Sequence, residues 1–123
     1  MANQIVWCDI PVKDLDRAIK FYSAVLDAKV EKQSFGEMSM GVLPHAGVNV
    51  SGGLSTSDES KPSADGPLIY LNCENRLDAA ISAVGKNGGK ILKPKHQIAP
   101  CDFRAVILDS EGNRIAFKVT NEL

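Results

Sequence analysis

Two histidines, three cysteines and a scatter of carboxylates are the side chains in these 123 residues that could carry metal or nucleophilic chemistry. None is spaced for it. His45 sits in a turn between Pro44 and Gly47, and His96 sits among Lys93, Pro94, Lys95 and Gln97. Neither belongs to a pair with metal-ligand spacing, and a solvated histidine on a loop or polar strand is the simpler account of each. Cys8, Cys73 and Cys101 make no Cys-x-x-Cys pair. An odd number of widely spaced thiols reads as reduced cysteines in a cytoplasmic protein, not as a disulfide framework or zinc knuckle. Cys101, next to Pro100 and expected at the surface, has no base beside it to make it a nucleophile. Asp9 is the remaining candidate. It could act as a general base, with Arg114 or Lys118 stabilising an oxyanion. A structural ion pair with one of those cations is the simpler role.

The elements that position these residues come in two copies. Leu15-Asp16-Arg17-Ala18-Ile19 returns as Leu77-Asp78-Ala79-Ala80-Ile81, and Ala28-Lys29-Val30 returns in nearly the same frame as Gly89-Lys90-Ile91. Such self-similarity marks one supersecondary unit used twice. In the first copy, residues 4–12 read as a strand ending near Pro11, and Asp14 can cap a helix whose apolar positions Leu15, Ala18, Ile19, Tyr22, Val25 and Leu26 follow helical spacing. Three short strands are expected at 29–35, 37–43 and 47–54. In the second copy, 68–73 is a strand, Asn75 can cap a helix, and Asn87-Gly88-Gly89 ends it. Strands over 90–99, 102–108 and 113–120 follow, the last two joined by a turn at 109–113. Each copy is strand, helix, strand, strand, strand. The fold class is α+β, with two small, mostly antiparallel sheets. We expect a single domain over 1–123, with module one at 1–54, a polar linker at 55–67 and module two at 68–123.

Composition excludes several function classes. With 14 Lys and Arg against 15 Asp and Glu, the net charge is −1, so no field draws the chain to nucleic acid or to an anionic membrane. No apolar stretch is long enough to span a bilayer, and Met1-Ala2-Asn3-Gln4 lacks the basic start of a signal peptide. The chain is long enough to bury a core without metal or disulfides.

Two segments carry a family resemblance. Residues Trp7 to Tyr22 (WCDIPVKDLDRAIKFY) resemble the opening of the vicinal oxygen chelate superfamily, which includes glyoxalases, bleomycin-resistance proteins and extradiol dioxygenases. Asp109-Ser110-Glu111-Gly112-Asn113-Arg114-Ile115 resembles its closing Asp-Pro-x-Gly-Asn turn, with Ser110 in place of proline. The resemblance spans nearly the whole chain and implies two paired βαβββ modules forming a cupped sheet, with the site in the cup and commonly a homodimer. The linker is long enough for modules to pair within a chain or to be exchanged between chains.

Metalloenzymes of that superfamily hold a divalent ion with His and Glu from matching strands. On this sequence the resemblance carries those positions onto Trp7, Leu68 and Ala116, while the stretch from Ala46 to Thr56, where the remaining ligand belongs, contains no His, Glu, Asp or Cys. These side chains cannot hold such a cation. A displaced site would have to come from Asp9, Asp102, His45 or His96, so no metal and no other cofactor is expected. Strand alternation from the replaced positions then defines the cup face. It carries Trp7 and Asp9 with Ile5, Tyr70 and Asn72 with Leu68, and Arg114 and Lys118 with Ala116. Asn49 and Ser51 join from the fourth strand. Aromatic walls with a few convergent polar groups describe a small-molecule site. The expected function is metal-independent binding of a small organic ligand, anionic or neutral given Arg114 and Lys118. The alternatives are a metal-dependent lyase or dioxygenase with a rebuilt site, and metal-free catalysis using Asp9. Trp7 could also simply fill vacated volume, Met38 and Met40 could be sheet packing, and Cys8 and Cys73 should point to the helix side.

Overall fold

The structure is a computed structural model and describes residues 4–47, 51–58 and 60–120. Both helices begin where the repeat does. Helix α1 (Leu15–Leu26) follows strand β1 (Trp7–Pro11), and helix α2 (Leu77–Lys86) follows strand β5 (Ile69–Asn72). Module one continues with β2 (Glu31–Phe35), β3 (Met38–Val42) and β4 (Ser51–Ser55). Module two continues with β6 (Lys90–Ala99), β7 (Asp102–Leu108) and β8 (Arg114–Thr120). Each module folds into a four-stranded sheet, in the orders β1-β4-β3-β2 and β5-β8-β7-β6. The first and last strands of each module pair in parallel, and the other pairs are antiparallel. A parallel pair needs a crossover, which the helix supplies.

Asp14 caps α1 as its sequence position suggests, accepting from the Arg17 amide at 3.1 Å. The expected cap at Asn75 does not form. The cap residue is Arg76, with no side-chain cap bond, and Asn75 instead takes a left-handed conformation with φ 63°. Asn tolerates that region better than most residues, so it serves the turn entering the helix. Arg76 reaches across to α1, donating from Nη1 to the Val25 carbonyl at 2.7 Å. The far end of α2 stops where expected, with Gly88 at φ 93°.

The helices pack on each other and on one face of both sheets, burying a single apolar cluster that includes Phe21, Tyr22, Leu54, Ile107 and Phe117. Gly89 permits the closest approach. A β-carbon there would lie 2.5 Å from the Leu108 carbonyl oxygen and 2.7 Å from the Phe21 ring. Backbone cannot yield as a side-chain tip does, so Gly89 joins α2, β7 and α1 at distances only glycine allows.

The turn between β7 and β8 locks this arrangement. Asp109 is buried and accepts from the Tyr22 hydroxyl at 2.5 Å, from the amides of Glu111 and Asn113, and from the Asn113 side-chain amide. Burial first, then the Asp109 carboxylate, pushes the Tyr22 phenol well above its ordinary range, so it remains a donor. Glu111 has no exposed side-chain surface and accepts from the Lys13 and Asp14 amides, Arg17 Nε and Nη2, and Ser110 Oγ. Asn113 completes the link, donating to the Pro11 carbonyl at 2.8 Å and accepting from the Ser63 amide.

Burial alone would raise the Glu111 pKa, but the donors from Arg17, Asp14, Ser110 and Lys13 together outweigh it and lower it from 4.5 to about 2. A folded pKa below the unfolded one stabilises the protein above the unfolded value, and that stability is lost as pH falls from 4.5 toward 2. Denaturant unfolding across this range should therefore show a stability loss on the order of 3 kcal/mol from this group. Glu111→Gln should be less stable at pH 7 and should lack most of that slope; an unchanged slope would assign acid sensitivity to other carboxylates. Gly89→Ala should cost about 1–3 kcal/mol in the same assay, since a core without slack must shift.

Candidate functional site

Cross-strand register sorts the side chains by face. In module one, Trp7 lies opposite Ser51, Asp9 opposite Gly53, and Met40 opposite Ser55, all on the face away from the helices. Ile10 and Leu54 point the other way into the core, and Cys8 packs half-buried against it. In module two, Tyr70 lies opposite Ala116 and Asn72 opposite Lys118 on the outer face, whereas Ile115 and Phe117 are core. Cys73 is buried, where its thiol is pushed up to about 11 by desolvation; Cys101 is half-buried, not exposed.

Between the two edge strands β1 and β5 runs a groove of about 710 Å³. Trp7, Ile5 and Leu43 line it from module one, and Leu68, Tyr70 and Leu71 from module two. Trp7 is 43% exposed and Tyr70 44%, large fractions for aromatic side chains that could have been buried. The indole approaches β4 closely at Gly53, which has no side chain to obstruct it. A β-carbon at Gly53 would come within 3.1 Å of the indole Cζ2 and 2.3 Å of the Met40 methyl.

The sequence-derived site residues do not all converge on the groove. Trp7, Ser51, Tyr70 and Asn72 line the groove. Within it, Ser51 Oγ donates to the Leu43 carbonyl at 3.2 Å, and Asn72 Oδ1 accepts from the Glu74 amide at 2.9 Å. Asp9 is not among the groove-lining residues and, contrary to the sequence expectation, does not pair with Arg114 or Lys118. It accepts from the Trp7 indole N–H at 2.7 Å, a natural partner two residues away on one strand face. Lys118 instead approaches Asp102 at 3.8 Å. It lines a smaller hollow of about 230 Å³ with Tyr70, Asn72 and Glu74. Arg114 is half-buried, with its Nε buried and without an acceptor among the described residues. Ala116 is fully buried, and so is Val106 opposite it, so the outer face of module two is open around Lys118 and closed around Ala116. Asn49 lies outside the described residues.

Sequence reasoning missed one constellation. Arg104 lies on β7, opposite Lys118 on one side and His96 on the other. Its Nε donates to His96 Nε2 at 2.9 Å and its Nη1 to the Tyr70 hydroxyl, with the guanidinium 5.9 Å from the Tyr70 ring centre. His96 Nδ1 is 2.8 Å from the Pro94 carbonyl, an acceptor only, so the ring proton sits on Nδ1 and Nε2 is free to accept. His96 is therefore not a solvated strand histidine. It faces Arg104 because β6 bulges: Lys93 pairs with Val106 and His96 with Arg104, three residues against two. A bulge re-aims the side chains beyond it, and Pro94 within it needs no amide partner. His45 stays exposed in its turn, bonded through Nδ1 to the Gly47 carbonyl at 2.8 Å.

A metal does not fit this donor set. No three His, Cys, Asp or Glu side chains gather among the described residues. Trp7, Leu68 and Ala116 have no acceptor atom to offer. No helix among the described residues is long and apolar enough to cross a membrane.

Comparison with known proteins agrees with this architecture. A glyoxalase-like domain-containing protein of Didymella fabae is 33% identical over 125 residues, covering 90% of this chain and 89% of that one. Among solved structures, a glyoxalase/bleomycin resistance protein from Albidiferax ferrireducens T118 superposes with a TM-score of 0.75 at 18% identity, covering 94% of this chain and 98% of that one. A glyoxalase/bleomycin resistance protein/dioxygenase family enzyme from Burkholderia phytofirmans PsJN gives 0.72 at 15% identity, covering 94% and 97%. The family model of the glyoxalase/bleomycin resistance protein/dioxygenase superfamily matches residues 4–117, and the chain belongs to that superfamily.

Proposed function

We propose that the protein binds a small organic molecule in the groove between β1 and β5, without a metal and without obligatory catalysis. The observation that carries this is the groove itself, about 710 Å³ with exposed Trp7 and Tyr70 on its walls. That volume suits a small ligand, and apolar walls with a few polar groups are what such ligands need. Trp7, Asp9, Ser51, Tyr70, Asn72, Arg114 and Lys118 are the proposed contacts, with Asn49 added from the sequence. Acid/base catalysis by Asp9 gains no support, because its carboxylate is bonded to the neighbouring indole.

Trp7 is the only tryptophan, so its fluorescence reports on the groove directly. A ligand that raises the melting temperature should also shift Trp7 emission, and Trp7→Ala should weaken its binding by roughly tenfold or more, as expected for an aromatic anchor. Tight ligands that leave Trp7 emission unchanged would move the site elsewhere. Elemental analysis after dialysis should find substoichiometric metal. Stoichiometric iron, manganese, nickel or zinc, lost on mutating Asp9 or His45, would overturn the metal-independent function in favour of a rebuilt lyase or dioxygenase site.

The same proposal includes a cytoplasmic homodimer. Ile5 and Val6, exposed at 72% and 66% beside the groove, are the surface that a second copy would cover. Light scattering should give twice the chain mass, and Ile5→Lys with Val6→Lys should give the monomer.

A further inference from the structure

We propose that Arg104, held by Tyr70 and His96, is the group that reads the ligand's charge, and that the ligand is an amphipathic carboxylate. Its apolar body lies in the β1–β5 groove and its carboxylate meets the Arg104 guanidinium. This ligand class rests on the small-molecule function proposed above.

The first support is an uncompensated charge. Neither partner of Arg104 is a carboxylate, and no carboxylate among the described residues lies within ion-pair distance of it. Lys118 stands directly across the β7–β8 ladder, and its own carboxylate, Asp102, is 3.8 Å away. Like charges directly opposite on one face oppose pairing unless an anion sits between them. Lys118 therefore has a carboxylate partner, and Arg104 is the cation of the pair left without one among the described residues.

The second support is preorganisation. A guanidinium has five N–H groups in one plane. Tyr70 and His96 take two of them and fix that plane, leaving three for a ligand, two on Nη2 and one on Nη1. A rigid planar fork matches a carboxylate, which accepts two parallel hydrogen bonds, better than it matches a tetrahedral anion. The β6 bulge supplies half of the clamp, because with regular alternation from Lys93 the imidazole would point away from Arg104.

The third support is continuity. Tyr70 and Asn72 line both the apolar groove and the hollow that holds Lys118. Tyr70 thus places its ring on the groove wall and its hydroxyl on Arg104. A molecule lying against Tyr70 meets apolar surface along its body and positive charge at its end.

Matched acid and amide pairs test this: 2-naphthylacetate against 2-naphthylacetamide, and octanoate against octanamide, titrated calorimetrically into the full chain at pH 7. Wild type should bind each acid at least about tenfold tighter than its amide, the order expected for a charge-assisted pair. Arg104→Gln should erase that preference, the acid losing far more affinity than the amide, and Arg104→Lys should give an intermediate preference. Tyr70→Phe, which removes one oxygen and keeps the ring, should reduce the preference several-fold and serves if Arg104→Gln proves unstable. Equal binding of acid and amide would overturn the carboxylate assignment and leave the groove standing. A preference that survives both Arg104→Gln and Tyr70→Phe would overturn the role of Arg104. If no member of either pair binds, the groove's function and this ligand class fall together.

Discussion

The polar bonds that tie the β7–β8 turn to β1, α1 and the linker fix how the two modules meet around their shared apolar core. Asp109, Glu111 and Asn113 direct side-chain oxygens and an amide at β1, the start of α1 and the linker, and each of the three is buried. A buried carboxylate is costly unless its lone pairs are filled, and Glu111 has five donors to fill them. The arrangement is therefore close to all-or-none. Removing one donor leaves a buried charge short of a partner, while the complete set ties the start of α1 to module two. The groove lies between β1, which Asn113 holds through the Pro11 carbonyl, and β5.

Much of this was legible from the chain. The repeated Leu-Asp-x-Ala-Ile marks the first residues of both helices, because helix starts are encoded locally by a cap and an apolar stripe. Strand alternation put Trp7 with Asp9 and Tyr70 with Asn72 on their proper faces, since a period of two needs no tertiary knowledge. What was hidden depends on register and on irregularity. Arg104 cannot be assigned a place opposite Lys118 until the β7–β8 turn fixes the pairing. His96 cannot be put beside it by alternation at all, because the bulge in β6 reverses the face. The Asp9 partner was missed for a simpler reason. Two distant cations looked stronger than a neighbouring indole, but the indole shares its strand face and requires no long side chain to be immobilised.

The duplicated frame has diverged in what it presents. Module one contributes an indole, a glycine-floored strand and hydroxyls; module two contributes a phenol, an amide and the cations. Symmetry of backbone has been kept while the two faces have taken complementary roles, one apolar and one charged. That division is what a scaffold shared by several chemistries allows, since function lies in the side chains placed on it. The glycine pair Gly52-Gly53 illustrates how little sequence is involved: no side chain at Gly53 stands between the indole and β4.

The locking turn also has a consequence for how the chain comes into being. Its bonds join residues 109–113 to residues 11–22, separations of 87 to 102 positions. Loops of that length close late, because the entropy of closure must be met before the contacts return it. During synthesis, α1 emerges early and waits, the Lys13 and Asp14 amides before it and its Tyr22 hydroxyl turned to water, until the β7–β8 turn has left the ribosome. The two modules become a single cooperative unit only when that turn meets β1 and α1.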